Sequence, residues 1–304
     1  MKTKVFVTGT SGYLGSAVTR RLLRAGCDVY ALTRDPEHAN ELSRAGAHPV
    51  FGDLIRHKTY LGTLRNCDAA VHTAEANDDT RASVDQLALG AFREAAEDGR
   101  LRKLIYTSGM WVVGGTGVGV ADESWNLHPL ELEAWRAAHE DVVMDLAEHE
   151  LAPVVLRPGV LYGGRHGIIG DLFREAHERG TVTYPGDGSQ HWSMVHVDDA
   201  AEAYALALEH AKGERYYLSD GSDVTVRDLA EAIARATGAE ARSMPAGEVF
   251  ATLGIYGQAL LTSARVTSAK ARRELGWVPA HPSFVAEVDE LWRDWLGPRE
   301  ASVS

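Results

Sequence analysis

Val7-Thr8-Gly9-Thr10-Ser11-Gly12-Tyr13-Leu14-Gly15 lies between a short apolar run, Lys4 to Thr8, and an amphipathic stretch from Gly15 to Ala25. The glycines recur at every third position. Gly9 permits a tight turn, Gly12 lets the backbone approach a pyrophosphate, and Gly15 lets the following helix lie close to the strand. The first amides of that helix are free to receive a phosphate. A glycine-rich turn alone is a weak signal, because any tight strand-to-helix connection could use one. Its place after the first strand, at the head of a strand-helix-strand unit, supplies the context a dinucleotide loop needs. The whole loop from Gly9 through Thr10, Ser11, Gly12, Tyr13 and Leu14 to Gly15 is therefore expected to bind cofactor.

Outward from this loop, β-branched runs alternate with helical stretches. The pattern predicts strands at Lys4 to Thr8, Asp28 to Thr33, His48 to Phe51, Ala69 to Thr73, Leu104 to Thr107 and Val154 to Leu156. Helices are expected from Gly15 to Ala25, Thr80 to Asp98 and Leu130 to His149. Right-handed crossovers in such an alternation give a parallel sheet with helices on both faces, a Rossmann-type doubly wound α/β fold. After Pro158 the alternation loosens, leaving helices near Ile168 to Arg179, Asp198 to Ala211 and up to Thr237 behind a Thr225 cap. The expected organisation is a dinucleotide-binding domain over 1–165. A small C-terminal substrate lobe over 166–304 interleaves with late elements of the sheet.

Composition narrows the partners. Lys and Arg number 31 against 43 Asp and Glu, a formal charge of −12. Without a basic surplus or a Lys/Arg run, nucleic acid is not an expected ligand, because phosphate neutralisation powers that binding. The charge suits a protein handling small molecules. The first residues, MKTKVFVTGT, read as a strand rather than a signal peptide, and no window nears the roughly 18 apolar residues of a membrane span, so a cytoplasmic protein is expected. Cys27 and Cys67 lack any metal-ligand spacing and read as buried free thiols. No metal site is expected.

Several further motifs follow in order: Gly52-Asp53-Leu54, Ile105-Tyr106-Thr107-Ser108-Gly109, and Leu156-Arg157-Pro158-Gly159-Val160-Leu161-Tyr162-Gly163. Beyond them come Val195-His196-Val197-Asp198-Asp199-Ala200 and Leu275-Gly276-Trp277-Val278-Pro279. With the glycine loop, they make the chain resemble the extended short-chain dehydrogenases, the group that includes NAD(P)-dependent epimerases and dehydratases. The resemblance implies that Asp53 and Leu54 flank the adenine and that Thr73, Ala74 and Glu75 pass beneath the cofactor. It further implies that Thr107 stands beside the cofactor and that Pro158, Gly159 and Val160 approach the nicotinamide.

The end of the second strand bears on the nucleotide. An NAD enzyme usually places a carboxylate there for the ribose 2′-hydroxyl. Here Thr33 is followed by Arg34, whose guanidinium can hold a 2′-phosphate through two charge-assisted bonds. NADP is favoured. NAD is the alternative, with Arg34 a solvated strand-end residue and Asp35 on the ribose.

Catalytic residues depart from the resemblance. The family uses a Tyr-x-x-x-Lys pair on the fifth helix, with a Ser or Thr from the fifth strand's loop on the substrate oxygen. This chain has no Tyr-x-x-x-Lys. Aligning Glu140 with the family's helix glutamate puts Leu132 and Arg136 at the two positions, whereas a shift of three puts Trp135 and His139 there. Gly109 aligns with the reactive hydroxyl, one place after Ser108. Ser108 could bind a substrate carbonyl or merely cap the strand. Tyr162 and His166 lie in a turn that could reach substrate, although a tyrosine at the Tyr162 position of this motif more often packs structurally. Arg136 could replace the Lys as the positive charge on the nicotinamide ribose, but an arginine cannot act as an acid or base. His196 with Asp198 and Asp199 reads as a helix start, the Asp pair forming the N-cap and first-turn carboxylates.

Trp111, Trp125, Trp135, Trp192, Phe250 and Tyr256 are candidates for an apolar substrate pocket. Cations are sparse between Gly159 and His191, where only Arg165, Arg174 and Arg179 occur, which disfavours nucleotide-sugar substrates. Two functions stay open. One is an NADP-dependent oxidoreductase or isomerase for a small, largely apolar carbonyl compound, with Ser108, Tyr162 and Arg136 as catalytic candidates. The other is a cofactor-binding protein, or a non-redox lyase or isomerase, that keeps NADP without hydride transfer. A homodimer through Leu132, Trp135, Val142, Val143 and Leu146 is expected from the resemblance.

Overall fold

The computed structural model describes residues 2–297; residues 298–304, at the end of the expected C-terminal lobe, lie outside them. The first half alternates as β1 (Lys4–Thr8), α1 (Tyr13–Arg24), β2 (Asp28–Thr33), α2 (Pro36–Ala45), β3 (His48–Phe51), α3 (Leu61–Leu64), β4 (Ala69–His72), α4 (Arg81–Asp98), β5 (Lys103–Thr107), α5 (Ala134–Asp145) and β6 (Ala152–Pro158). There follow β7 (Val160–Tyr162), α6 (Gly167–Arg179), β8 (Thr181–Pro185), β9 (Met194–His196), α7 (Val197–His210), β10 (Arg215–Leu218), α8 (Val226–Thr237), β11 (Glu240–Met244), α9 (Ala246–Leu260), α10 (Ala269–Leu275) and α11 (Phe284–Leu296).

Among the described residues, seven strands form one sheet in the order β10-β6-β5-β4-β1-β2-β3, every neighbouring pair parallel. Strand alternation divides its side chains between two cores. Val5 and Val7 pack with α1, α7 and Trp277 on one face, and Phe6 packs with Tyr60, Phe92, Tyr106 and Val143 on the other. Direction of winding reverses between β1 and β4, and a doubly wound sheet opens a crevice at the carboxyl ends of its strands there.

The late segment contributes to both parts. β10 completes the sheet beside β6, while the pairs β7–β9 and β8–β11 with α6, α8 and α11 enclose a separate core of Phe173, Val182, Ile233, Phe284 and Trp295.

Three local expectations are corrected. α2 was not anticipated, yet Asp35 caps its N-terminus by accepting from Glu37 N at 2.8 Å, and Pro36 takes the first turn. The single helix expected over Leu130 to His149 is a 3-10 turn at Glu131–Glu133, then α5, then a second 3-10 turn at Leu146–His149. The N-cap of α7 is His196, not an aspartate: its Nδ1 accepts from Asp198 N at 3.2 Å, and Asp199 receives the backbone amides of Ala280 and His281. Cys67 is buried and Cys27 half-buried, both unpaired. Among the described residues no helix is long and apolar enough to cross a membrane.

Candidate active site

The glycine loop turns where a side chain would not fit. A Cβ on Gly9, whose φ is +74°, would stand 2.6 Å from the Ala74 amide, and one on Gly15 would stand 2.0 Å from the Gly9 carbonyl oxygen. Gly15 thus serves close packing and does not itself line the groove beside it. Thr73 Oγ1 donates to Thr8 O at 2.6 Å and ties the ends of β1 and β4 together. α1 begins at Gly12 with no capping side chain and no acidic residue in its first turn, which leaves its amides open to an anion.

The groove above this loop encloses about 1170 Å³, more than the roughly 300–1,000 Å³ typical of small-molecule sites. The expected cofactor residues Gly9, Thr10, Ser11, Gly12, Tyr13, Leu14, Arg34, Asp53, Leu54, Thr73, Ala74, Glu75, Thr107, Pro158, Gly159 and Val160 line it. Both the bare glycine cradle and the length of the groove fit a dinucleotide.

At the end beside β2, the Arg34 guanidinium is 80% exposed and 3.8 Å from Asp53. The Asp35 carboxylate is occupied by its cap on α2. At the opposite end, Arg136 reaches the groove from the first turn of α5. Its guanidinium donates to Glu133 Oε2 at 2.6 Å and to the Thr107 carbonyl at 3.2 Å, and pairs with Glu75 at 2.9 Å. The register that puts Arg136 at the family's lysine position is therefore the one that faces the groove. His139, from the other register, instead points beneath the sheet and bonds Asp85 at 2.6 Å.

Two catalytic candidates are placed differently from expectation. Tyr162 does not reach the groove. β7 carries it two residues past Val160, about 6–7 Å along the strand, into the lobe core. There it is fully buried, donates to the His281 carbonyl at 3.0 Å and packs edge-on against His196 and Phe284. Burial, reinforced by Asp220, pushes its phenol far up. Ser108 does border the groove, but its hydroxyl donates to Glu140 Oε1 at 2.5 Å, and Glu140 is held in turn by Arg157. That hydroxyl is committed to an internal carboxylate.

Glu133 is the residue that sequence reasoning missed. It lines the groove one turn before Arg136, with its side chain 12% exposed. Burial pushes its carboxyl up, against the pull of Arg136. The available signal was the spacing of Glu133 and Arg136, which places opposite charges on one side of a helix start. Apolar side chains fill the rest of this end: Met110, Trp111, Val160, Leu161 and Ile168 line it. The Trp111 indole N–H is buried with no partner among the described residues. Of the other aromatic candidates, Trp192 is core, while Phe250 and Tyr256 are exposed on α9.

Fold and cradle together define a nucleotide-binding protein of the doubly wound class. The chain belongs to the NAD dependent epimerase/dehydratase family, whose model matches residues 5–219, and its cofactor class is a nicotinamide dinucleotide. It is similar to the 4-hydroxy-2-methyl-3-oxo-4-farnesyl-3,4-dihydroquinoline-1-oxide ketoreductase of Stigmatella aurantiaca, at 29% identity over 90% of this chain and 91% of that one. A 3-diazoavenalumate denitrifying reductase of a Streptomyces species is also 29% identical, over 97% of this chain and 99% of its own length. Among solved structures, a dTDP-glucose 4,6-dehydratase of Streptomyces venezuelae superposes with a TM-score of 0.82 at 24% identity, covering 97% of each chain. That likeness concerns the fold.

Proposed function

We propose that the protein is an NADP-dependent oxidoreductase acting on a small, largely apolar carbonyl compound. The observation that carries this reading is the charge arrangement at the two ends of one groove. Arg34 offers an exposed guanidinium at the end of β2 while the neighbouring Asp35 carboxylate is engaged by a helix. A ribose 2′-phosphate therefore meets a cation where an NAD enzyme presents an anion. Bound there, the cofactor supplies reducing equivalents to the substrate carbonyl.

The chain's own residues would do the rest. Arg136, fixed by Glu75, Glu133 and the Thr107 carbonyl, keeps a permanent positive charge at the inner end of the groove. Met110, Trp111, Val160 and Ile168 exclude water from the reacting face and favour an apolar substrate. Arg165, held by the Trp295 carbonyl, lies outside the lining of the groove, as do Arg174 and Arg179, which argues against a nucleotide-sugar diphosphate. The ketoreductase relative named above fits this chemistry. The test is NADPH consumption across aldehydes, ketones and enones, paired with an NADPH binding titration. Tight binding with no turnover on any substrate would favour the cofactor-binding or non-redox alternative.

The homodimer belongs to this reading too, with less apolar surface to support it than the sequence suggests. Val143 and Leu146 are core, which leaves exposed Val142 and half-buried Leu132 and Trp135. Light scattering at micromolar concentration decides it.

A further inference from the structure

The groove holds a carboxyl group where the family's phenol is absent, and we propose that Glu133 donates the proton that completes carbonyl reduction. This rests on the reductase reading above and names the group that reading lacks.

Placement comes first. The 3-10 turn Glu131–Glu133 ends at the mouth of α5 and sets the Glu133 carboxylate into the groove. Opposite stands Gly109, at the position that aligns with the family's reactive hydroxyl. A Cβ on Gly109 would lie 3.9 Å from Glu133 Oε2, with no nearer atom, so the space a serine or threonine would fill opens onto the carboxyl instead. Arg136 Nε binds Oε2 at 2.6 Å and orients the group. Oε1 has no hydrogen-bond partner among the described residues.

Charge comes second. Glu133 faces Arg136 from α5, Glu75 from the loop after β4 and Arg81 from α4. Glu75 and Glu133 share the Arg136 guanidinium, and Glu133 carries its carboxyl in a desolvated place where the neighbouring Glu75 opposes its ionisation. Burial favours the protonated form more on Glu133 than on Glu75, whose side chains are 12% and 40% exposed. The shift itself has burial as its largest cause.

The step balances. Two electrons and one hydrogen reach the carbonyl carbon from the reduced nicotinamide cofactor, which is left oxidised. The π pair of the C=O bond moves onto oxygen and forms an O–H bond with the proton of the Glu133 carboxyl, whose own O–H bond breaks. Glu133 is left as a carboxylate paired with Arg136, and solvent water restores its proton. Leu132, at the family's tyrosine position, has no proton to give, and the other candidates are engaged: Tyr162 in the lobe core and Ser108 on Glu140.

The test uses the whole chain and Glu133→Gln, whose amide oxygen can still accept from Arg136. Expected are a fall in kcat of about 10²–10⁴-fold, NADPH affinity within about twofold of wild type by quenching of tryptophan fluorescence, and partial recovery in Glu133→Asp. Infrared difference spectra without cofactor give an independent reading. In a pH titration the wild type should show a carboxylic-acid C=O band, lacking in Glu133→Gln, that persists to higher pH than an ordinary glutamate's. Unchanged turnover in Glu133→Gln, or no such band, overturns the proposal while leaving the reductase reading in place. A wild type that binds NADPH yet reduces no carbonyl ends both. If Glu133→Gln fails to fold by circular dichroism, the infrared titration of the wild type against Glu133→Asp decides.

Discussion

Arg157 and Glu140 form a buried ion pair, with Arg157 Nε 2.9 and 3.1 Å from the two carboxylate oxygens and neither side chain more than 2% exposed. The same carboxylate accepts from Ser108, and the guanidinium donates to the Tyr217 hydroxyl at 3.0 Å. The pair thus joins α5, β5, β6 and β10 behind the inner end of the groove. Glu140→Ala would leave a buried guanidinium without its counter-charge, and unfolding in urea should show a loss of about 3–5 kcal/mol. A loss below 1 kcal/mol would mean that the arginine finds another partner.

Arg34→Ala should weaken NADPH binding by roughly ten- to a hundredfold, the equivalent of about 1.5–3 kcal/mol for a charge-assisted contact, and change NADH little. Titration with both cofactors measures this. Equal losses for the two would remove Arg34 from the phosphate.

Tyr162→Phe should leave turnover near wild type, because the hydroxyl lies in the lobe core and away from the groove. It should cost about 0.5–1.5 kcal/mol of stability through the lost bond to the His281 carbonyl. A hundredfold fall in kcat with stability unchanged would return Tyr162 to the list of donors.

Asp220 carries a pH signature. Burial pushes its carboxyl from 3.8 up to about 6, with Asp199 adding to the rise and bonds from Ser222 and Tyr162 opposing it. The folded value lies above the unfolded one, so the protonated acid favours folding at low pH. That contribution is lost as pH rises from about 4 through 6. Asp220→Asn removes the titration. Relative to wild type, the variant should therefore gain about 1–1.5 kcal/mol between pH 5 and pH 8. A difference that stays flat across this range would contradict the assignment.

Legibility in the sequence followed how local the determinants were. β1, β2 and β3 were placed to the residue because their β-branched and apolar runs end at turn residues. The glycine loop was readable because backbone geometry demands glycine at Gly9 and Gly15. Three-residue β7 and β9 were not readable, since so short a strand has no periodicity to display and exists through its partner. The role of Asp35 was missed because an aspartate after a strand serves a ribose and a helix cap equally well. Glu133 escaped for a related reason: a glutamate near a helix start reads as a solvated charge, and only its contact with Arg136 and its position opposite Gly109 distinguish it. Tyr162 shows the converse, since a strand can carry a residue next to the groove in sequence well away from it in space.

The packing of α7 against α1, and of β10 against β6, bears on how the chain comes into being. The apolar face of α1, with Ala17, Val18 and Leu22, is covered in part by Val197, Ala200 and Tyr204, which the ribosome adds more than a hundred and seventy residues later. At synthesis rates of about 5–20 residues per second, that face waits on the order of 10–30 s for its cover. The glycine loop emerges well before the residues that cover the helix behind it. A newborn chain would thus pass through an interval in which helper proteins that shield apolar surface have their best opportunity to act.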